Sequence, residues 1–468
     1  MKIYNTLTKT KEELKPINPG KIGMYVCGPT VYDHCHLGHA RGYVSMDIIR
    51  RYLEFQGLEV REIMNYTDVG HLVHDAEIGE DKIEQKAKKE KIDPMEIVEK
   101  YIQSTEEDFK ALNIKPAAFN PRPTKYIAQI IKFVEKLIEK EFAYAVNGSV
   151  YFSVEKFPDY GKLSGRKTED LLSGARVEIN PEKRNPLDFA LWINAPKEHI
   201  LKWESPWGIG YPGWHIECSV MSADLLGQAT FDIHGGGNEN AFPHNENEIA
   251  QSEAYLGEPM ANHWIHWNMV NVDGTKMSKS LGNFVTIKDA LKDYDPMTIR
   301  LWILSAHYRS PIDFTKNSLS QAKTNLETLN NFYMRLIAHE PTTDEKRSNL
   351  STNQFKKEFE EAMSDDFNTP EALAVVLKMV NEGNKVIDEK LMGNPAEVKK
   401  ALEMFAKVFG LILGSVEIPT EITKIAEQRK TARNNKDFAK SDELRDEILS
   451  IGYVVEDLKD NEFILKKK

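Results

Sequence analysis

Two short polar motifs far apart in the chain, His36-Leu37-Gly38-His39 and Lys276-Met277-Ser278-Lys279-Ser280, constrain its fold more than any other feature. The first has a definite setting. The apolar run Met24-Tyr25-Val26 predicts a buried strand, Gly28-Pro29-Thr30 interrupts it, and Ala40 to Gly57 predicts a helix. The histidines thus stand where a strand hands over to a helix N-terminus. Unpaired N–H groups and the positive dipole end attract phosphate there, and Gly38 removes the side chain that would obstruct a nucleotide. Spacing alone decides nothing. His-x-x-His recurs at His71/His74 and His263/His266 among only 13 histidines, and a chance pairing is the better reading of those two.

A Lys/Ser segment is ordinarily a solvated loop. This one follows the strand-like Met269-Val270-Asn271-Val272 and the turn Asp273-Gly274, and it precedes Leu281-Gly282-Asn283-Phe284, so it is a loop anchored at both ends. Two ammonium groups on such a loop neutralise charge that grows only in the transition state at phosphorus. Histidines on one side of a triphosphate and lysines on the other describe activation of a carboxylate by ATP.

Three cysteines in 468 residues keep the inventory of soft ligands short. Cys27 ends the first strand, Cys218 lies in Pro212-Gly213-Trp214-His215-Ile216-Glu217-Cys218, and His244 and Glu248 stand four apart. If Asn245 to Leu256 is helical, the last two share a face one turn apart. Two thiolates, an imidazole and a carboxylate make a zinc-grade set. No CxxC spacing is present, and on composition alone structural cysteines outrank ligands. A Cys27–Cys218 disulfide is a further alternative, disfavoured because so long a chain with so few cysteines reads as reduced.

These motifs resemble the class I aminoacyl-tRNA synthetases. The lysine loop matches the KMSKS signature letter for letter, and the first motif has Leu37 where HIGH has isoleucine. Met24 to His39, Tyr151 to Arg166 and Pro212 to Glu217, with the zinc candidates, are similar to cysteinyl-tRNA synthetases over essentially the whole chain. The resemblance implies a zinc ion held by Cys27, Cys218, His244 and Glu248 that binds the substrate thiol, and Mg2+ with ATP. It implies catalytic roles for His36, His39, Lys276 and Lys279, ATP contacts at Thr30, Gly38, Gly235, Gly236, Gly237, Glu239 and Lys279, and cysteine contacts at Gly28, Thr67 and Trp214. The implied partners are L-cysteine, ATP and tRNA(Cys).

A metal makes sense of the chemistry. Serine and cysteine differ by one atom, and a shape-based pocket separates such near-isosteres only ~10²-fold. A thiolate bonds zinc at about 2.3 Å, whereas a serine hydroxyl stays protonated and ligates poorly. Four protein ligands would close the site, so the substrate enters as a fifth or displaces one, with Glu248 the candidate to yield. Recognition through the metal also predicts no separate editing domain. Two departures from the family pattern fall in one segment: Glu239 replaces an aspartate after the triglycine, and Asn245 replaces the second histidine of Pro-His-His-Glu-Asn-Glu. The stretch around His71 to His74 reads as a loop or hairpin without a role.

The expected architecture is α/β: a Rossmann-like parallel-sheet catalytic domain in two halves, 1–115 and 206–315, split by an inserted domain at 116–205, then a helical bundle at 316–415 and a small C-terminal anticodon-binding domain at 416–468. Leu319, Ala322, Leu326, Leu329 and Phe332 recur at helical spacing, and Thr369 reads as a helix cap with Pro370 at the first position. The N-terminus carries no apolar signal core and no apolar run approaches a membrane span, which predicts a soluble, cytoplasmic chain. Nothing in the pattern argues for assembly, so a monomer is expected.

A net charge of −11 argues against nonspecific nucleic-acid affinity but not against a local contact. Arg429, Lys430, Arg433, Lys436 and Lys440 fall on one predicted helix, and Arg429, Arg433 and Lys436 are the candidate tRNA contacts, although such a stripe is usually just a solvated face. Two rivals stand beside this reading: a cysteine ligase acting on an amino sugar, which has no use for the regions after Phe314, and a catalytically inactive, zinc-stabilised nucleic-acid-binding module, which would not keep both motifs intact.

Overall fold

A hairpin of β1 (Lys2–Asn5) and β2 (Thr10–Glu13) precedes β3 (Lys21–Val26), and a ten-residue connection then leads to α1 (Leu37–Phe55). The computed structural model describes residues 1–72, 79–167, 180–227, 230–278, 281–338, 350–389, 394–414, 420–435, 437–457 and 463–467. His74, Lys279, Ser280 and Lys436 lie outside the described residues. The chain divides into a unit at Met1–Leu411 and a second at Ile412–Lys468.

In the first unit β4 (Glu59–Met64) pairs parallel with β3 on one side, α2 (Lys82–Glu90) and α3 (Pro94–Ala111) follow, and α4 (Ile127–Glu139) leads into an antiparallel sheet. That sheet has the order β5-β6-β7-β9-β8, from β5 (Ala143–Val146), β6 (Ser149–Phe152), β7 (Phe189–Asn194), β8 (Trp203–Ser205) and β9 (Gly208–Pro212). β9 carries it to Pro212, past the edge at Ser205 expected from the sequence.

The chain then returns through α5 (Ile216–Leu226) to β10 (Phe231–Gly237), α6 (His244–Leu256) and β11 (Ala261–Trp267). These strands complete a four-stranded, wholly parallel sheet of order β11-β10-β3-β4. Helices on its faces bury it, which is the condition under which parallel sheets are stable. β10 is buried along its whole length although it reads Phe-Asp-Ile-His-Gly-Gly-Gly. Asp232 is accommodated because its two carboxylate oxygens accept from the N–H groups of Ile17 and Gly23, both at 2.7 Å.

After β11 come β12 (Val270–Val272), β13 (Thr275–Lys276), α7 (Ile287–Asp293), α8 (Pro296–Leu304) and β14 (Ile312–Phe314), with β12 between β13 and β14. Four longer helices follow: α9 (Lys316–Ala338), α10 (Thr352–Ser364), α11 (Thr369–Asp388) and α12 (Pro395–Phe409). The expected stripe Leu319, Ala322, Leu326, Leu329 and Phe332 is buried on α9 and extends to Leu336. The start of α11 differs by one position from expectation. Asn368 is the cap, its side chain accepting from Glu371 N, and Thr369 and Pro370 occupy the first turn, since an amide oxygen satisfies the same orphan donor a threonine hydroxyl would.

The second unit pairs α13 (Thr420–Asn434) and α14 (Phe438–Ser450) with an antiparallel hairpin of β15 (Tyr453–Asp457) and β16 (Phe463–Lys467). Its core gathers Ile422, Ala426, Ile448, Tyr453, Val455 and Leu465. Among the described residues no helix is long and apolar enough to cross a membrane.

Candidate metal centre and nucleotide cleft

His36 is the N-cap of α1: its Nδ1 accepts from Gly38 N at 3.0 Å, and His39 Nδ1 accepts from His36 N at 3.2 Å. The two imidazoles close a capping box and stack with centroids 3.8 Å apart. Because both Nδ1 atoms accept, the neutral rings carry their protons on Nε2. Gly38 is required for a nearer reason than nucleotide access: a Cβ there would stand 2.7 Å from the His36 ring.

Residues beyond the lysine loop are bonded to this helix end. Leu37 N donates to Val285 O at 3.1 Å, Ile287 N donates to Cys35 O at 2.8 Å, and Phe284 meets the His36 ring edge-on at 5.0 Å. Lys276 is exposed at the end of β13. Asn283 ties the loop together, donating to Lys276 O at 3.2 Å and accepting from Ser278 N at 2.9 Å. The described part of the second motif, Lys276 to Ser278, thus runs beside the first: Met277 Cε lies 3.7 Å from where a Cβ on Gly38 would stand.

The four metal candidates also converge. Cys27 follows β3, Cys218 lies in the first turn of α5, His244 opens α6 and Glu248 stands one turn further; all are buried, with ligand atoms within 4.8 Å of one another. Cys27 Sγ is 3.7 Å from Glu248 Oε1, Cys218 Sγ is 3.7 Å from His244 Nε2, and His244 Nε2 is 2.9 Å from Glu248 Oε1. Donors around a tetrahedral zinc stand roughly 3.3–3.8 Å apart, so the set is close to that spacing. The three cysteines are free thiols, so no disulfide joins Cys27 to Cys218.

The electrostatics point the same way. Hydrogen bonding with Cys27, burial and the charge of Glu248 push the Cys218 thiol well above its ordinary range. Burial alone would raise the Glu248 carboxyl, yet the imidazoles of His234 and His244 hold it well below the usual carboxylate range. Without a cation both thiols are thus kept protonated beside an ionised Glu248, and a divalent cation at the centre would reverse that preference and favour the thiolates.

A second layer, not legible from motif spacing, orients the donors. His234 Nε2 lies 2.7 Å from Glu248 Oε2. Asn245 Nδ2 donates to Glu248 Oε1 at 2.8 Å and to Cys27 Sγ at 3.5 Å, while its Oδ1 lies 2.9 Å from His266 Nε2. Burial lowers His266 to about 3, so that ring is neutral and donates to Asn245. His215 Nδ1 is 2.9 Å from His244 Nδ1. Such partners set ligand tautomer and orientation.

Trp214 stacks on His244 with centroids 4.3 Å apart. Gly28 N donates to Asn65 Oδ1 at 2.8 Å, and any Cβ at Gly28 would collide with Asn65 O at 1.5 Å. Asn65 Nδ2 donates to buried Thr67 at 2.9 Å, so Gly28, Thr67 and Trp214 all adjoin the donor cluster. Thr30 bridges Thr67 on the next segment, and Gly235, Gly236 and Gly237 end β10 before the exposed Glu239.

In the second unit the basic stripe departs from a uniform solvated face. Arg429 is buried and makes a bidentate pair with Asp457 at 2.6 and 3.0 Å, and Arg433 also binds Asp457. A guanidinium held in this way stabilises the fold of the unit, so Arg429 is corrected from a surface contact to a structural residue.

A parallel sheet whose strand β3 leads into a histidine-capped helix, with the described residues Lys276 to Ser278 beside that helix end, is the architecture of the class I tRNA synthetases. Mycobacterium tuberculosis methionyl-tRNA synthetase shares this fold at a TM-score of 0.59 and 12% identity, over 83% of this chain and 89% of that one. Residues 13–324 match the family described as tRNA synthetases class I (C) catalytic domain, 358–414 the DALR domain, and 415–464 the cysteinyl-tRNA ligase anticodon binding domain. Proteins named cysteine–tRNA ligase from Chlorobaculum tepidum and Pyrococcus horikoshii are 45% and 48% identical, each over 100% of this chain and 99% of its own. The chain belongs to the cysteinyl-tRNA ligase family.

Proposed function

We infer that this chain activates L-cysteine with ATP and transfers it to tRNA(Cys). The convergence of Cys27, Cys218, His244 and Glu248 carries the choice of amino acid, and the full-length likeness to relatives named cysteine–tRNA ligase supports it. The four residues would hold zinc, which when bound supplies a soft Lewis acid that favours a thiolate over an alcohol. Trp214, Thr67 and Gly28 would position the substrate beside them.

The His36 and His39 Nε2–H groups, at a helix N-terminus, orient and stabilise the phosphates of Mg2+–ATP beside Thr30 and Gly38, with Gly235 to Gly237 and Glu239 supporting the nucleotide. Lys276 and Lys279 follow the departing pyrophosphate. The cysteine carboxylate attacks the α-phosphorus, and a ribose hydroxyl of the terminal tRNA adenosine then attacks the adenylate carbonyl, so no protein nucleophile is needed. Two catalytic halves, the insert between them that starts near 116 and whose sheet ends at Pro212, the bundle 316–415 and an anticodon-binding unit 416–468 divide the work, with Arg433 and Lys436 remaining as tRNA-contact candidates. An amino-sugar ligase would need neither of the last two regions.

Cysteine-dependent ATP–pyrophosphate exchange, followed by charging of tRNA(Cys), tests this reading. Exchange that ignores cysteine, or adenylate that reaches an amine but no tRNA, would overturn it.

A further inference from the structure

His71 has no part in the mechanism above, yet it stands against Trp214. The imidazole lies on the indole with centroids 4.1 Å apart and planes only 9° from parallel. Since Trp214 also stacks on His244, the indole bridges two imidazoles, one of which belongs to the donor set. His71 is buried, and its backbone is fixed: Lys82 N donates to His71 O at 3.0 Å, and Gly70 N donates to Asp81 Oδ2 at 2.9 Å.

The ring edge is fixed as well. His71 Nε2 lies 2.6 Å from Lys82 Nζ, and Nδ1 lies 2.5 Å from Thr30 Oγ1. An ammonium donates and never accepts, so Nε2 is the acceptor, the proton sits on Nδ1, and Thr30 receives it. The Thr30 hydroxyl then has its own hydrogen to give to another acceptor.

We propose that His71 is a positioning residue for cysteine activation, holding the Trp214 indole in place on the metal-ligand side and keeping the Thr30 hydroxyl in the donor role. This rests on the functional reading above. The chain Lys82–His71–Thr30 fixes polarity; the stack fixes the plane of the residue that covers the substrate.

The test compares wild type, His71→Ala and His71→Phe as full-length proteins in ATP–pyrophosphate exchange, with metal content measured on each. His71→Phe keeps an aromatic face and loses the hydrogen bonds, so the KM for cysteine stays near wild type while kcat falls. His71→Ala loses both, and the KM rises about three- to tenfold, the range expected for one aromatic stack. Metal content is unchanged in both. Two variants that behave alike, whether as wild type or with metal lost, overturn the proposal. Absence of cysteine-dependent exchange in the wild type removes the parent reading and this one with it, and is distinguished by appearing before any substitution is made.

Discussion

Asn245 shows how much a single side chain can organise. Its amide reaches Glu248, Cys27 and His266 at once, so the residue that replaces a family histidine has a defined place behind the donor set. Asn245→Ala should weaken zinc binding about 10–100-fold, read by competition with a chelator. Cys218→Ser should cost the metal itself, seen as loss of stoichiometric zinc in the purified protein, because a hydroxyl is a poor ligand. Scarce cysteine and the one-turn spacing of His244 and Glu248 made the four donors visible as candidates, but on composition alone structural cysteines outranked ligands, and it was the family resemblance that put the four together as a ligand set. His234, His266 and Asn245 were not, since a lone histidine on a buried strand looks like any core histidine. Asp457 gives a pH prediction. Hydrogen bonds from Arg429 lower it to about 2, below the unfolded value of about 3.9. The stability it confers is therefore complete above about pH 4 and is lost as pH falls toward 2. Hydrogen exchange in α13, followed down this range, should show opening in wild type and little pH dependence in Asp457→Asn, which is already weakened by about 2 kcal/mol because Arg429 stays buried without its counter-charge.

Two buried arginines lock α1 to α8 from opposite directions. Arg41 on α1 donates to the carbonyls of Ile303, Ala306, His307 and Ser310, capping α8 and holding the turn that leads to β14. Arg300 on α8 returns an ion pair to Asp47 on α1, and Arg51 binds the same carboxylate at 2.7 Å. Although burial would raise Asp47, the Arg300 charge keeps it below its ordinary value. Asp47→Ala strands a guanidinium in the interior and should destabilise the first unit by about 3–5 kcal/mol in a denaturant titration. Since β14 pairs with β12, and β12 with the strand bearing Lys276, exchange activity should fall even at temperatures where the variant is folded. Elements of this kind were only partly visible beforehand. Leucine spacing predicted α9, whereas β10 was hidden because three glycines and two ionisable residues carry no strand signature.

At the scale of the whole chain the charge of −11 sits uneasily with a polyanionic partner, so tRNA contact has to be local. Raising salt from about 50 to 200 mM should depress tRNA charging steeply while leaving ATP–pyrophosphate exchange nearly constant; equal losses would remove the tRNA-docking assignment. The strand order of the central sheet has a consequence for biosynthesis. β3 is flanked by β4, made immediately, and by β10, made roughly 200 residues later, which is about 10–40 s of translation at 5–20 residues per second. Throughout that interval the nascent polypeptide presents an apolar ribbon with one row of hydrogen-bonding groups open, the surface that chaperones bind and that neighbouring nascent chains pair with. Slow or stalled translation between β4 and β10 is therefore the condition under which this chain is most exposed to edge-to-edge association.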